Sequence, residues 1–192
     1  EYAGERKIDI APCIVDRLYA GTYEVCNRGT AQFEQTEPIT YTDWVRGRNG
    51  IAGGNDLKKA TRLLKYMRDI KGNFTCPSFL LTTLLGYRVY DSDRDSAQFA
   101  DLPTTFKTLV GRLDDWLQAR PDVPEVPNPV LYGEDQASGW DQSKYANFRD
   151  KVNLYRGWID DAYDDADKEE SIGKWRRVFG DGFAESETKQ AA

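Results

Sequence analysis

The stretch Asp56-Leu-Lys-Lys-Ala-Thr-Arg-Leu-Leu-Lys-Tyr-Met-Arg-Asp69 decides how this chain is read. At helical spacing, Leu57, Ala60, Leu64 and Met67 fall on one apolar stripe, widened by Leu63, so that face is expected to be buried. Lys58, Arg62 and Lys65 fall together on another face, three to four residues apart. Such a row is commonly no more than a solvated basic face. It is also the arrangement that holds a polyanion such as a triphosphate.

Upstream of this helix the chain is expected to be strand-rich. Lys7-Ile-Asp-Ile-Ala alternates polar and apolar residues at period two and stops at Pro12. Two short runs, 21–26 and 31–36, flank the turn signal Asn27-Arg-Gly29 and predict a hairpin. Residues 39–45 predict a short helix or an extended crossing. Arg46-Gly-Arg-Asn-Gly-Ile-Ala-Gly-Gly-Asn55 has glycine at four of ten positions and no G-K-[ST] ending, so it predicts a flexible joint rather than a phosphate loop.

Downstream the chain is expected to be helical. Asn55 or Asp56 can cap the opening helix, and Gly72-Asn73 ends it. A second helix runs from near Pro77 to Gly86, which closes it. Over 103–120, Phe106, Leu109, Val110, Leu113, Trp116 and Leu117 face inward. Four prolines in 121–129 predict an extended connector, and 133–139 a loop. Tyr145, Phe148, Val152, Tyr155, Ile159, Ala162 and Ala166 recur at steps of three and four, predicting a long helix over about 141–167. A last helix is expected at 169–178, with Tyr66 and Trp44 as packing residues.

Composition excludes several function classes. The chain has 192 residues, 40% of them apolar, five Trp and a net charge of −6. That charge argues against an extended nucleic-acid face, which needs a basic stripe, but allows a local basic pocket. With no histidine anywhere, Ser-His-Asp and Cys-His catalysis and His-ligated zinc are excluded. Cys13, Cys26 and Cys76 are odd in number and lack a C-x-x-C spacing, and are expected as buried thiols in a reducing cytoplasm. No run of 18 apolar residues is present, so no membrane span is expected, and the first residues lack a signal peptide's apolar core.

The order and spacing of three pieces resemble the second part of the bacterial CD-NTases, cyclic-oligonucleotide synthases related to animal cyclic GMP-AMP synthase and the oligoadenylate synthetases. They are Ile8-Asp-Ile-Ala-Pro12, Arg62-Leu-Leu-Lys-Tyr-Met67 and Ser78-Phe-Leu-Leu81. Later landmarks agree: Asn128-Pro-Val130, Gly133-Glu-Asp135, Trp140 and Trp175-Arg-Arg-Val-Phe-Gly-Asp181. The resemblance covers roughly residues 5–183. It implies an α+β fold, mostly α: the end of a polymerase-β-type nucleotidyltransferase sheet in residues 1–50, a helical lobe in 51–184, and a disordered tail in 185–192.

The resemblance also implies roles. Asp9 is the last of three metal-binding acids and a catalytic carboxylate for two Mg²⁺ ions. Lys65, with Arg62 beside it, neutralises the donor triphosphate, and Ser78 bonds to that triphosphate near a helix N-terminus. Phe79 stands where the animal enzyme stacks an aromatic on a base, and Thr36 where a small hydroxyl lines the nucleotide site. Implied partners are nucleoside triphosphates such as ATP or GTP, and a separate effector that reads a cyclic di- or trinucleotide messenger in anti-phage defence. The family's Gly-Ser pair and Asp-x-Asp strand would precede Asp9, and Glu1 and Glu5 do not supply them. The chain is therefore expected to be a fragment, inactive without the N-terminal part of the core. Two alternatives stay open from the residues: a non-catalytic helical module that binds a nucleotide or a partner, and another polymerase-β-type nucleotidyltransferase.

Overall fold

The computed structural model describes residues 12–15, 23–27 and 29–184. The expected strand around Asp9 and the expected tail at 185–192 lie outside the described residues. Three short antiparallel strands come first: β1 (Cys13–Val15), β2 (Tyr23–Asn27) and β3 (Gln32–Thr36), in the order β1-β2-β3. The β2–β3 pair is the expected hairpin, with Tyr23 opposite Thr36 and Asn27 opposite Gln32. Asn27 closes its turn by accepting from the Gly29 N–H at 2.8 Å while its amide donates to Glu34 at 2.8 Å. Ile14, Val15 and Phe33 of this sheet are exposed.

Six α-helices follow among the described residues: α1 (Pro38–Ile51), α2 (Asp56–Lys71), α3 (Ser78–Gly86), α4 (Leu102–Gln118), α5 (Gln142–Tyr163) and α6 (Lys168–Phe179). The mixed, mainly helical class is as expected. The core is built from the stripes read in the sequence. Leu57, Ala60, Leu64 and Met67 of α2 are buried, as are Phe106, Leu109, Val110, Leu113 and Leu117 of α4. On α5, Tyr145, Phe148, Val152, Tyr155, Ile159 and Ala162 are buried, while Ala166 lies past the helix end. Three of these helices start at aspartate caps: Asp101 accepts from Thr104 N–H, Asp141 from Lys144 N–H, and Asp167 from Glu169 and Glu170 N–H.

The expected flexible joint is corrected. Residues 46–51 continue α1, and the chain turns only afterwards, through left-handed backbone at Gly53, Gly54 and Asn55. Helix propensity alone would not hold Gly47 and Gly50, each costing about 1 kcal/mol relative to alanine. Tertiary contacts hold them. Trp44 packs edge-on against Tyr87, and Arg48 donates to Val89 O at 3.2 Å. Asn49 accepts from the Lys58 N–H at 3.1 Å, so an asparagine on α1 satisfies the start of α2 in place of the expected Asn55 or Asp56 cap.

Gly86 closes α3 as expected, being its last residue, although Tyr87 after it is still right-handed. Its missing side chain serves a close approach, since a Cβ there would lie 2.4 Å from the Trp44 ring. Tyr66, expected to pack, is half-exposed, with the Phe179 ring 6.5 Å away. Cys76 is buried as expected, whereas Cys13 and Cys26, on β1 and β2, are exposed.

Between α3 and α4 the chain is held by one nearly buried ion pair. Arg112 grips both oxygens of Asp93, at 2.6 and 2.8 Å, and donates to Arg88 O at 2.8 Å. Burial pushes the Asp93 carboxyl up, but the Arg112 hydrogen bonds, the Tyr90 N–H and the guanidinium charge outweigh it and hold the group below the ordinary aspartate value.

Two outcomes follow from this packing. Gly86→Ala should lower stability by about 2 kcal/mol in denaturant unfolding, because a rigid indole must shift; an unchanged midpoint would refute the close contact. Arg112→Ala should cost about 3 kcal/mol at neutral pH. Because the folded Asp93 value is depressed, that contribution is lost as pH falls through it. The gap between wild type and variant should therefore narrow in acid, and a gap constant with pH would count against the pair.

Candidate nucleotide site

Of the cations of α2, Lys58 and Arg62 are exposed and Lys65 is half-buried. Lys58, Arg62 and Lys65 line a cleft of about 670 Å³, together with Val45 of α1 and Thr82 of α3. The apolar stripe sets this geometry: burying Leu57, Leu64 and Met67 fixes the rotation of α2 and turns the cationic row toward α1 and α3. Lys59, also in the lining, is neutralised by Asp56 at 2.7 Å. Lys58, Arg62 and Lys65 have no carboxylate within ion-pair distance among the described residues. In a chain of net charge −6, three cations without carboxylate partners thus stand around one cleft and give it a local positive potential.

Lys65 is the most constrained of the three. Burial pulls its ammonium below the ordinary lysine value, and the positive charge of Arg68 pulls in the same direction. Arg68 itself is fixed: its guanidinium donates to Cys76 O at 2.7 Å, to Ser78 Oγ at 3.2 Å and to Asp69 at 2.8 Å. Cys76 lies beside this group, and burial pushes its thiol up to about 12 in spite of both cations, so it is no thiolate nucleophile at neutral pH.

Ser78, Phe79 and Thr36 are not among the residues that line this cleft. Ser78 is the first residue of α3, exposed, with its hydroxyl held by Arg68. Phe79 is exposed and packs, tilted by 31°, with its ring centroid 4.2 Å from that of Tyr41 of α1, whose hydroxyl bonds Thr83 at 2.9 Å. Thr82 follows Ser78 by one turn of α3, which places Ser78, Phe79 and Thr82 on one side of that helix. Thr36 ends β3 two residues before α1. Asp9 lies outside the described residues. The cleft adds Lys58 and Thr82 to the residues that sequence reasoning assigns to the site. Lys58 is visible in the cationic row, whereas nothing in the sequence pairs Thr82 with α2.

Among the described residues no group of three or more cysteine or carboxylate side chains is placed to hold a metal ion. Nor is any described helix long and apolar enough to cross a membrane.

Residues 1–49 match the Second Messenger Oligonucleotide or Dinucleotide Synthetase domain. Among solved structures, Escherichia coli MS115-1 CdnC with ATP superposes with a TM-score of 0.68 at 18% identity, covering 84% of this chain and 56% of CdnC. The fold is that of the bacterial CD-NTases. The CdnC:HORMA-deltaN complex gives a TM-score of 0.62 at 18% identity, over 86% of this chain and 64% of the CdnC structure's chain. Vibrio cholerae di-nucleotide cyclase DncV, in complex with GTP and 5MTHFGLU2, gives 0.67 at 19% identity, over 86% of this chain and 41% of DncV. The chain thus spans about half the length of these CD-NTase structures. No curated protein matches it. The resemblance drawn from Ile8–Pro12, Arg62–Met67 and Ser78–Leu81 is borne out at the level of the CD-NTase fold.

The depressed Lys65 value gives this cleft a measurable signature. A bound polyanion should raise it, because a nearby negative charge favours the ammonium. Tripolyphosphate titrated into protein carrying ¹³C-labelled lysine should move the Lys65 titration upward, and its affinity should fall as pH rises through the Lys65 value. A Lys65 titration unmoved by saturating tripolyphosphate would show that the cleft takes no polyanion.

Proposed function

We propose that the complete protein is a nucleotidyltransferase that builds cyclic di- or trinucleotide second messengers from nucleoside triphosphates. The observation that carries this proposal is the cleft on α2, where Lys58, Arg62 and Lys65 stand without carboxylate partners among the described residues of a CD-NTase fold. Similar folds were solved with ATP and with GTP, which supports a triphosphate as the anion. Lys65 and Arg62 neutralise that triphosphate. Ser78, held by Arg68, donates its hydroxyl to it, Phe79 offers a ring face to the base, and Thr36 lines the nucleotide from the end of β3.

The reaction is attack of a ribose hydroxyl on the α-phosphorus of a bound triphosphate, with release of pyrophosphate, repeated until the product closes on itself. Protein cations act by placing the chain of phosphates and by stabilising the charge that moves onto the leaving pyrophosphate. Asp9 is the proposed catalytic carboxylate and ligand of Mg²⁺. Residues 1–50 contribute the remaining strands of the transferase core and 51–184 the helical lobe, with further core strands supplied by an N-terminal part. The cellular role proposed is cytoplasmic anti-phage signalling, with the product read by a separate effector and no extended nucleic-acid face.

In the full-length protein, Lys65→Ala should weaken ATP binding by about 2 kcal/mol, the scale of one charge-assisted hydrogen bond. Calorimetry that finds unchanged affinity would remove Lys65 from the site. Asp9→Asn should abolish the phosphatase-resistant small product formed from labelled triphosphates while leaving part of the nucleotide binding; wild-type product yield would overturn the assignment.

A further inference from the structure

Among the described residues Arg88 is the only buried cation, 7% exposed, and it has no carboxylate within ion-pair distance. Its Nε is sealed from solvent with no hydrogen-bond partner. The two Nη atoms also donate to no described residue, but they are not sealed. Taking an unpaired charge out of water is costly, and burial pulls the guanidinium below the ordinary arginine value. Arg112, which donates to the Arg88 carbonyl at 2.8 Å, shows the usual solution at this place in the fold, since it grips Asp93. Arg88 has only a ring. Two residues past α3, its guanidinium lies 4.6 Å from the centre of the Trp116 ring of α4. Arg120, exposed two residues past α4, lies 4.5 Å from the centre of the same ring and donates to Trp116 O at 3.0 Å. It too lacks a carboxylate partner among the described residues. The indole attracts each guanidinium, but the two charges repel, and Arg120 pulls the Arg88 value down further.

We infer that Arg88 and Arg120 form a second anion site, taking the dianionic phosphate of a phosphate monoester. Trp116 sets the spacing, because one indole holds both guanidiniums. Guanidinium forks match phosphate oxygens two at a time. Two of them also supply the charge that balances a monoester, which carries about −1.5 to −2 at neutral pH. A single carboxylate would leave one of the two cations unmatched. Arg88, Trp116 and Arg120 line no part of the cationic cleft, so this site is distinct from the one proposed for the triphosphate. Free phosphate, a nucleoside 5′-monophosphate and a phosphorylated side chain all present the same group, and the test separates them.

The indole N–H signals of the full-length protein report the site. The chain has five tryptophans, and Trp116→Phe assigns the relevant resonance. Inorganic phosphate, AMP and a neutral peptide carrying one phosphoserine are titrated in turn. At least one should shift the Trp116 signal saturably, and the tightest identifies the source of the phosphate. The affinity should fall about tenfold in Arg88→Gln and in Arg120→Gln, the scale of one lost charge-assisted contact. Arg120→Gln, at an exposed position, carries the test if Arg88→Gln fails to fold. Dimethyl phosphate, a monoanion, should bind about tenfold more weakly than the dianion, again the scale of one charge contact. Lys65→Ala should leave the Trp116 titration unchanged, whatever it does to ATP binding. No saturable shift with any of the three would mean that the guanidiniums only pack the indole. Equal affinity in the arginine variants, or loss of the shift in Lys65→Ala, would equally overturn the site.

Discussion

Burial of one face of α2 is the constraint on which the molecule turns. Leu57, Ala60, Leu64 and Met67 are removed from water almost completely, and each such side chain contributes roughly 1.5–3 kcal/mol for the larger residues. A helix anchored along one stripe has no freedom to rotate about its axis. Its cations must then stand where the heptad-like spacing puts them, even where, as at Lys65, partial burial disfavours the charge. The core therefore holds the destabilising electrostatics of the cleft in place. Lys58, Arg62 and Lys65 are thereby kept around one cleft without carboxylate partners among the described residues.

The surroundings of α2 are arranged to keep that face open. Carboxylates nearby are occupied: Asp56 with Lys59, Asp69 with Arg68. Arg68 in turn is spent on backbone and on Ser78, which stiffens the passage from α2 to α3. The helix α1 forms a wall of the cleft through Val45 and is clamped by Trp44 over Gly86 and by Asn49 at the start of α2. The Asp93–Arg112 pair fixes the far end of the same unit, where the chain leaves α3 for α4. These contacts are mutually dependent: loosening α1 would open the cleft and expose the start of α2 together.

Much of this was legible in the residue order. Steps of three and four in α2, α4 and α5 named nearly all the buried positions, because a helix with one wet face must repeat its apolar residues at that period. Asp101, Asp141 and Asp167 cap α4, α5 and α6 in the structure, since a short acceptor there satisfies N–H groups that have no partner in the helix. The row Lys58, Arg62, Lys65 was visible for the same periodic reason. What misled was glycine. Gly47 and Gly50 predicted a joint, because local preference knows nothing of the contacts that hold α1; Gly86 does end α3, but nothing local shows the Trp44 indole packed against it from 42 residues away.

The order of residues alone specified the helices, their inward faces and the existence of a cationic row, since each depends on spacing within one segment. Folding in three dimensions settled the company those segments keep. Thr82 joins the α2 cations, Asn49 caps a helix other than its own, and Arg88 meets Arg120 at the Trp116 ring. Such pairings join residues remote in the chain, and their energies come from shape and desolvation at the contact, quantities that no local pattern encodes.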